Sequence, residues 1–193
     1  MDNKKRRVRV ILIIVAAAAI IIAAALVLAW HAGAFLPGWL EWKKSSTGYE
    51  NGMTVELAGR KVKVSMGEGN IIWQSDENIS VQDCLMEDID HDGERELLLL
   101  CWKIGKYGEA EPAFGSGEDG RWHQHIYIYK WKNESMHAIW MASETGMDIR
   151  EWSFKEGKGL ILTETSGRQT LWDWYDWGLE FAGEIQKAGE IQK

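Results

Sequence analysis

The stretch Asp88-Ile89-Asp90-His91-Asp92-Gly93-Glu94-Arg95-Glu96-Leu97-Leu98-Leu99-Leu100 decides how this chain folds. Its acidic residues alternate with other side chains and then give way to four consecutive leucines. Carboxylates at this spacing repel one another when a loop closes, unless a cation lies between them, and calcium is the usual cation for such oxygen ligands. We therefore predict a calcium loop whose ligands are Asp88, Asp90, Asp92, the carbonyl oxygen of Glu94, and Glu96.

The residues after the loop exclude a helical EF-hand. An EF-hand requires a bidentate acid at the twelfth loop position, and that position here is Leu99. The run of leucines at 97–100 is typical of a buried strand. The loop is therefore expected to join two strands, and a polar hairpin loop without metal is the alternative interpretation.

The pattern Asp-x-Asp-x-Asp-Gly-x-x-(Asp/Glu)-Leu between two hydrophobic strands resembles the calcium loop of FG-GAP/VCBS repeats, the blades of integrin-like β-propellers. The resemblance extends from Val81 to Trp102. Glu96 stands where that family usually has Asp, and His91 where it usually has Gly, although His tolerates a left-handed backbone. The resemblance implies extracellular interaction rather than catalysis. The basic start and the Ala/Ile-rich segment that follows it indicate the bacterial, membrane-anchored type of this family.

The N-terminus predicts a membrane anchor. Residues 1–9 carry five basic side chains and one acid, and residues 10–30 are uncharged and apolar. About 20 apolar residues span a bilayer as a helix, and a basic flank stays in the cytoplasm. We expect a cytoplasmic tail (1–9), a transmembrane signal anchor (10–30) and an extracytoplasmic C-terminal domain. The aromatic residues expected at the outer interface are Trp30, Phe35, Trp39 and Trp42.

A cleaved signal peptide is the alternative interpretation of the N-terminus. Ala32-Gly33-Ala34 has the small-x-small form of a cleavage site. The apolar run is longer than the usual signal-peptide core of about 7–15 residues, which favours an anchor. Both interpretations place the rest of the chain outside the cytoplasm.

The charge of the exported part limits its partners. The whole chain has a net charge of −7, and the first 30 residues contribute +4, so the remainder carries −11. An acidic domain is a poor ligand for nucleic acid or anionic lipid. The two cysteines, Cys84 and Cys101, flank the predicted loop. They are expected to form a disulfide or to remain buried free thiols.

Strand patterns repeat through residues 51–183, and no long segment there shows helical periodicity. We predict an all-β domain of antiparallel, propeller-like blades, with residues 31–50 as a juxtamembrane stalk and 184–193 as a tail. Blades of about 40–50 residues give about three blades, whereas closed propellers usually have 4–8. A small β-sandwich is therefore the alternative, and assembly with another copy of the chain is a further way to cover the open edges.

Three other residue groups are candidate sites. His123 and His125 share a strand face, but a metal site there lacks a third ligand, so we expect ordinary hydrogen bonds. Trp172, Trp174 and Trp177 either pack in the core or bind sugars. No catalytic motif accompanies the acids Glu164, Asp173 and Asp176, so we predict no enzyme.

The expected function is therefore calcium-dependent interaction with a protein or cell-surface partner. A carbohydrate-binding or envelope-sensing module is the alternative, and a hydrolase is the third and least favoured one.

Overall fold

The computed structural model describes residues 3–67, 69–108 and 117–185. The chain divides into two compact units, Met1–Gly38 and Trp39–Lys193. In the first unit, helix α1 (Asn3–His31) contains the apolar segment Arg6–His31, which is long enough to cross a membrane. The predicted N-terminal apolar helix is confirmed. A signal sequence has the same properties, so the helix alone does not fix the topology of the chain.

The second unit consists of β-strands joined by short turns. The strands in the described part of this unit are β1 (Ser45–Gly48), β2 (Met53–Ala58), β3 (Lys61–Met66), β4 (Asn70–Gln74), β5 (Ile79–Glu87), β6 (Glu96–Ile104), β7 (Trp122–Lys132), β8 (Ser135–Met141), β9 (Ile149–Lys155), β10 (Gly159–Glu164), β11 (Gln169–Tyr175) and β12 (Gly178–Glu184). A 3-10 turn, Glu50–Gly52, precedes β2.

The strands form three antiparallel sheets, each made of four consecutive strands. Sheet I contains β1–β4, sheet II β5–β8 and sheet III β9–β12. Two of the hairpins have two-residue loops in which both backbones are left-handed, Gly59-Arg60 and Asn133-Glu134. Such loops match the twist of paired strands and favour tight meanders. The predicted all-β antiparallel fold is confirmed, and the three sheets do not form a closed propeller.

The boundary predicted for the stalk differs from the observed one. Ser45 pairs with Leu57, so β1 lies within the segment 31–50 and belongs to sheet I. The ring of Trp39 lies 6.0 Å from that of Trp102, so the compact unit includes this part of the segment too. The short sequence Ser-Ser-Thr-Gly has no apolar alternation, which is why it carries no strand signal on its own.

Sheet II is the central layer, and its strand β6 is buried on both faces. Leu97, Leu99 and Cys101 pack in the core shared with sheet I, and Leu98 and Leu100 pack in the core shared with sheet III. All five side chains have 0% exposure. Successive residues of a strand point to opposite faces, so a strand between two layers needs apolar residues at every position. This explains the four consecutive leucines.

The two cysteines are free thiols. Cys101 pairs with Val81 in the β5–β6 ladder, whereas Cys84 pairs with Leu99, so the two residues are not opposite each other. Burial raises the pKa of the Cys84 thiol to about 11 and that of Cys101 further still. Of the two alternatives, the structure therefore supports free thiols.

A buried amide network joins sheet II to sheet III. The side chain of Gln124 donates to the carbonyl oxygen of Ile149 at 2.8 Å and accepts from the Ile149 N–H at 2.7 Å. It also donates to Gln82, whose oxygen accepts from Trp102 Nε1 at 2.9 Å. The side chain of Gln124 thus bonds the N–H and the carbonyl of Ile149, the first residue of β9, in place of a neighbouring strand. Buried polar groups without such partners are strongly destabilising.

The replacement Gln124→Leu should therefore destabilise the protein. It keeps the volume of the side chain but leaves the Ile149 N–H and carbonyl unpaired, at a cost of about 2–4 kcal/mol in the free energy of unfolding. Urea unfolding of the detergent-solubilised chain measures the difference. Gln74→Leu, at an exposed position of β4, is the matched control and should change the free energy little. Equal effects of both replacements would contradict the network.

Candidate cation site

The loop between β5 and β6 is shaped by its own carboxylates. Asp88 Oδ2 accepts from the Gly93 N–H at 3.0 Å, and Glu96 Oε2 accepts from the Ile89 N–H at 3.0 Å. Asp90 and Asp92 each accept through Oδ1 from the N–H two residues further on. One oxygen of each acid is thus used to shape the loop, and the second oxygen remains for another partner.

Two residues of the loop adopt left-handed backbone conformations. The φ angles are 62° at His91 and 93° at Gly93. Gly adopts such angles without steric cost, and His does so more readily than most other residues. The departure from the family pattern at His91 therefore does not disturb the loop.

Three acids of the loop converge on one place. A ligand oxygen from each of Asp88, Asp90 and Glu96 lies within 4.8 Å of the others. Glu96 has 0% exposure. Asp88 Oδ1 is buried and accepts no hydrogen bond from any residue that the structure describes. This is an acceptor set of the kind that a hard cation satisfies.

Lys130 of β7 places an ammonium group among the same carboxylates. Its Nζ lies 2.9 Å from Asp90 Oδ2, 2.5 Å from Asp92 Oδ2 and 2.8 Å from Glu96 Oε1. The contact with Glu96 is an ion pair without hydrogen-bond alignment. Lys130 is not among the residues that the loop motif predicts. The signal was a lysine directly after the apolar run 126–129 of a strand that pairs with β6, with Leu97 opposite Tyr129.

The charges in the cluster depend on one another. Burial raises the pKa of Glu96, although contact with Lys130 opposes this shift. Burial also works to lower the pKa of Lys130, but its contacts with Asp92, Glu96 and Asp90 outweigh burial and raise that pKa well above its ordinary value. The hydrogen bond from Lys130 lowers the pKa of Asp92. The ammonium therefore remains charged and compensates the carboxylates around it.

The loop lies where the three sheets meet. On the sheet I side, the Tyr49 hydroxyl donates to the Arg95 carbonyl oxygen at 2.9 Å, and the Arg95 N–H donates to Glu50. On the sheet III side, His91 Nε2 lies 2.9 Å from Asp173 Oδ1. Lys130 belongs to sheet II. A change in the conformation of the loop would therefore alter its contacts with all three sheets.

The five predicted ligands separate into groups. Asp88, Asp90 and Glu96 come together as expected, and Asp92 joins them through Lys130. The side chain of Glu94 is exposed and lines a groove beside the cluster. Its carbonyl oxygen stays a predicted ligand.

His123 and His125 connect two loops. His123 contacts Asp119 through Nε2 at 2.8 Å and Glu144 through Nδ1. The buried ring of His125 has a carbonyl oxygen 3.1 Å from each nitrogen, that of Gly105 and that of Ala142. Both rings therefore have hydrogen-bonding partners, as expected. Residues 109–116, within the loop between β6 and β7, lie outside the described residues.

The predicted tryptophan cluster divides into packed and exposed members. Trp172 and Trp174 pack against the core between sheets II and III, whereas Trp177 is 78% exposed. Trp172 and Trp177 line a cavity of about 610 Å³ together with Trp140.

Two of the three acids considered beside the tryptophans, Asp173 and Glu164, have other partners. Asp173 contacts His91, and Glu164 pairs with Arg168. Nothing in these contacts assigns them a catalytic role.

Comparison with known proteins gives no match: no family model, no curated protein and no solved structure resembles this chain closely enough to be recognised. The FG-GAP/VCBS resemblance therefore stays a prediction from the sequence.

The burial of the His125 ring should make the stability of the protein depend on pH. Burial lowers its pKa, although the carbonyl oxygens of Ala142 and Gly105 oppose this shift, so the ring gains a proton less easily in the folded protein than in the unfolded chain. The contribution of His125 to stability is fully present above the pKa of the unfolded chain, about 6.5. It is lost as the pH falls below that value and through the lower pKa of the folded protein. In thermal melts between about pH 7.5 and 5, His125→Gln should reduce this loss. The exposed His137→Gln is the control, and equal pH profiles of His125→Gln and wild type would contradict the assignment.

Proposed function

We propose that the protein is a membrane-anchored, extracytoplasmic β domain that binds calcium at the loop between β5 and β6 and serves interaction with a protein or cell-surface partner. The observation that supports calcium most directly is the buried Asp88 Oδ1, which accepts no hydrogen bond from the described residues and belongs to the same cluster as the buried Glu96. All side-chain ligands on offer are carboxylate oxygens, which suit calcium or magnesium rather than metals that prefer nitrogen or sulfur.

Calcium at this loop would act on the architecture of the domain. The loop contacts sheet I through Tyr49 and Glu50, sheet II through Lys130 and sheet III through His91. A bound cation would bring Asp88, Asp90 and Glu96 together and hold the start of β6 in place. Because the cation binds the folded chain, it stabilises the fold by mass action.

The N-terminal helix supports the proposed location. Basic residues before it favour a cytoplasmic N-terminus, and with that orientation the β unit would lie on the extracytoplasmic side. Calcium sites of extracellular modules bind weakly, with Kd of about 10⁻⁴–10⁻³ M, and they fill because external calcium is abundant. The net charge of the exported part disfavours nucleic acid and anionic lipid as partners.

A second candidate function is binding of a glycan in the cavity between sheets II and III. Its volume of about 610 Å³ lies within the range of ligand pockets, and Trp140, Trp172 and Trp177 line it. Trp177, at 78% exposure, follows Asp176 in the turn between β11 and β12. An indole ring at the rim of a pocket offers a stacking surface for a sugar ring.

Glycan binding is testable by tryptophan fluorescence. Titration of the full chain with soluble cell-envelope glycan fragments should shift the emission, and Trp177→Ala should abolish the shift because the stacking surface is removed. Tyr175→Ala is the matched control, since Tyr175 is exposed on the same hairpin but does not line the cavity. An unchanged titration of Trp177→Ala would exclude this site.

Calcium binding is testable by thermal unfolding of the full chain in detergent micelles. At calcium concentrations near 100 times Kd, the gain is about 2.7 kcal/mol, which corresponds to a rise in Tm of roughly 5–10 °C. Asp90→Asn should largely remove this rise because it removes a charged ligand. Asp176→Asn, at an exposed turn outside the loop, should keep it. A wild-type Tm that is the same in calcium and in chelator would overturn the proposal.

A further inference from the structure

The cation site contains a positive charge of its own. Lys130 Nζ lies 2.9 Å from Asp90 Oδ2 and 2.8 Å from Glu96 Oε1, and Asp90 and Glu96 are two of the three convergent acids. Calcium binds oxygen at about 2.3–2.6 Å. An ion bound to both acids would lie within a few ångströms of the ammonium group, where the two positive charges repel strongly. The same carboxylates therefore cannot hold both cations in these positions.

The lysine satisfies only part of the cluster. It contacts Asp90, Asp92 and Glu96, while Asp88 Oδ1 stays buried with no hydrogen-bond partner in the described part of the chain. Glu96 needs a cation beside it because it has 0% exposure and an unpaired buried carboxylate is costly. A divalent ion would compensate Glu96 as the lysine does and would also satisfy Asp88.

The lysine has a route out of the cluster. A groove of about 540 Å³ beside the site is lined by Asp90, Asp92, Glu94 and residues 130–133. The Asp92 side chain is 47% exposed, and Glu94 is exposed as well. The lysine stem is flexible, so its ammonium group can turn from Glu96 towards these carboxylates at the rim.

We propose that Lys130 is a built-in competitor of the divalent cation and sets the affinity of the site. Its ammonium group compensates Glu96 and Asp90 until calcium displaces it into the groove. The inference rests on the proposed calcium function and deepens it, because it names the residue that determines how tightly the ion binds. The competition predicts weak binding, in a range of about 10⁻⁴–10⁻³ M.

The test compares calcium affinities of the full chain in detergent micelles by isothermal titration with calcium chloride. Lys130→Met removes the competing charge, and calcium should bind at least about tenfold more tightly. Lys130→Gln, which keeps hydrogen-bond donors without the charge, should show the same direction. Lys132→Met is the matched control: Lys132 lies on the same hairpin and lines the groove but has no ion pair with the acids, and its Kd should stay within about twofold of wild type.

A second readout separates competition from a general loss of structure. In chelator, Lys130→Met should melt at a lower temperature than wild type, because Glu96 loses its counter-ion. In saturating calcium, its Tm should rise by more than the wild-type Tm does. A variant that folds only in calcium supports the proposal in the same way.

Each outcome decides between the two proposals. If both Lys130 variants bind calcium with the same affinity as the wild type, or more weakly, the competitor role is overturned and the calcium function stands. Binding by the Lys130 variants but not by wild type would support the competition and overturn calcium as the natural ligand. Failure of wild type and of both folded variants to bind calcium would overturn the two proposals together.

Discussion

The burial of strand β6 on both faces is the constraint on which the rest of the structure depends. Its leucines alternate between the core shared with sheet I and the core shared with sheet III. The same burial includes Glu96, the first residue of the strand, whose exposure is 0%. A carboxylate in this position is costly without a positive charge nearby, and Lys130 supplies one. The candidate cation site is thus a consequence of how the central sheet is packed.

The site in turn connects the layers that create it. The loop from Asp88 to Glu96 accepts and donates hydrogen bonds with sheet I, contacts sheet III through His91, and holds Lys130 of its own sheet. A cation bound at this junction would compensate buried charge and would link strands of all three sheets, which gives the proposed calcium response a physical basis in the whole domain.

Much of the fold is readable from the sequence because local signals agree with the tertiary packing. Apolar runs and hairpin turns such as Gly59-Arg60 predict the antiparallel strands, and the four leucines predict a buried strand. Strand β1 is not readable, because Ser45–Gly48 has no apolar alternation and acquires its structure by pairing with β2. The number of sheets was also predictable, but whether three of them close into a propeller depends on contacts distant in sequence.

The candidate site also combines residues that local sequence predicts with residues that only tertiary contacts bring in. Spacing alone predicts a set of five loop ligands that includes the convergent Asp88, Asp90 and Glu96, since a short loop forces its own carboxylates together. Lys130 could not be assigned from local pattern, because it lies 38 to 40 residues beyond Asp92 and Asp90 and reaches them only through the register of β6 with β7. The amide of Gln124, which joins sheet II to Ile149, was missed for the same reason.

The most direct test of the account is a crystal structure of the full chain grown with calcium and measured for anomalous scattering. If calcium binds the loop and displaces Lys130, an anomalous peak should lie within about 2.3–2.6 Å of oxygens from Asp88, Asp90 and Glu96, and the Lys130 ammonium group should lie in the groove. A map with no peak at the loop, and with Lys130 still paired to Glu96, would contradict the account.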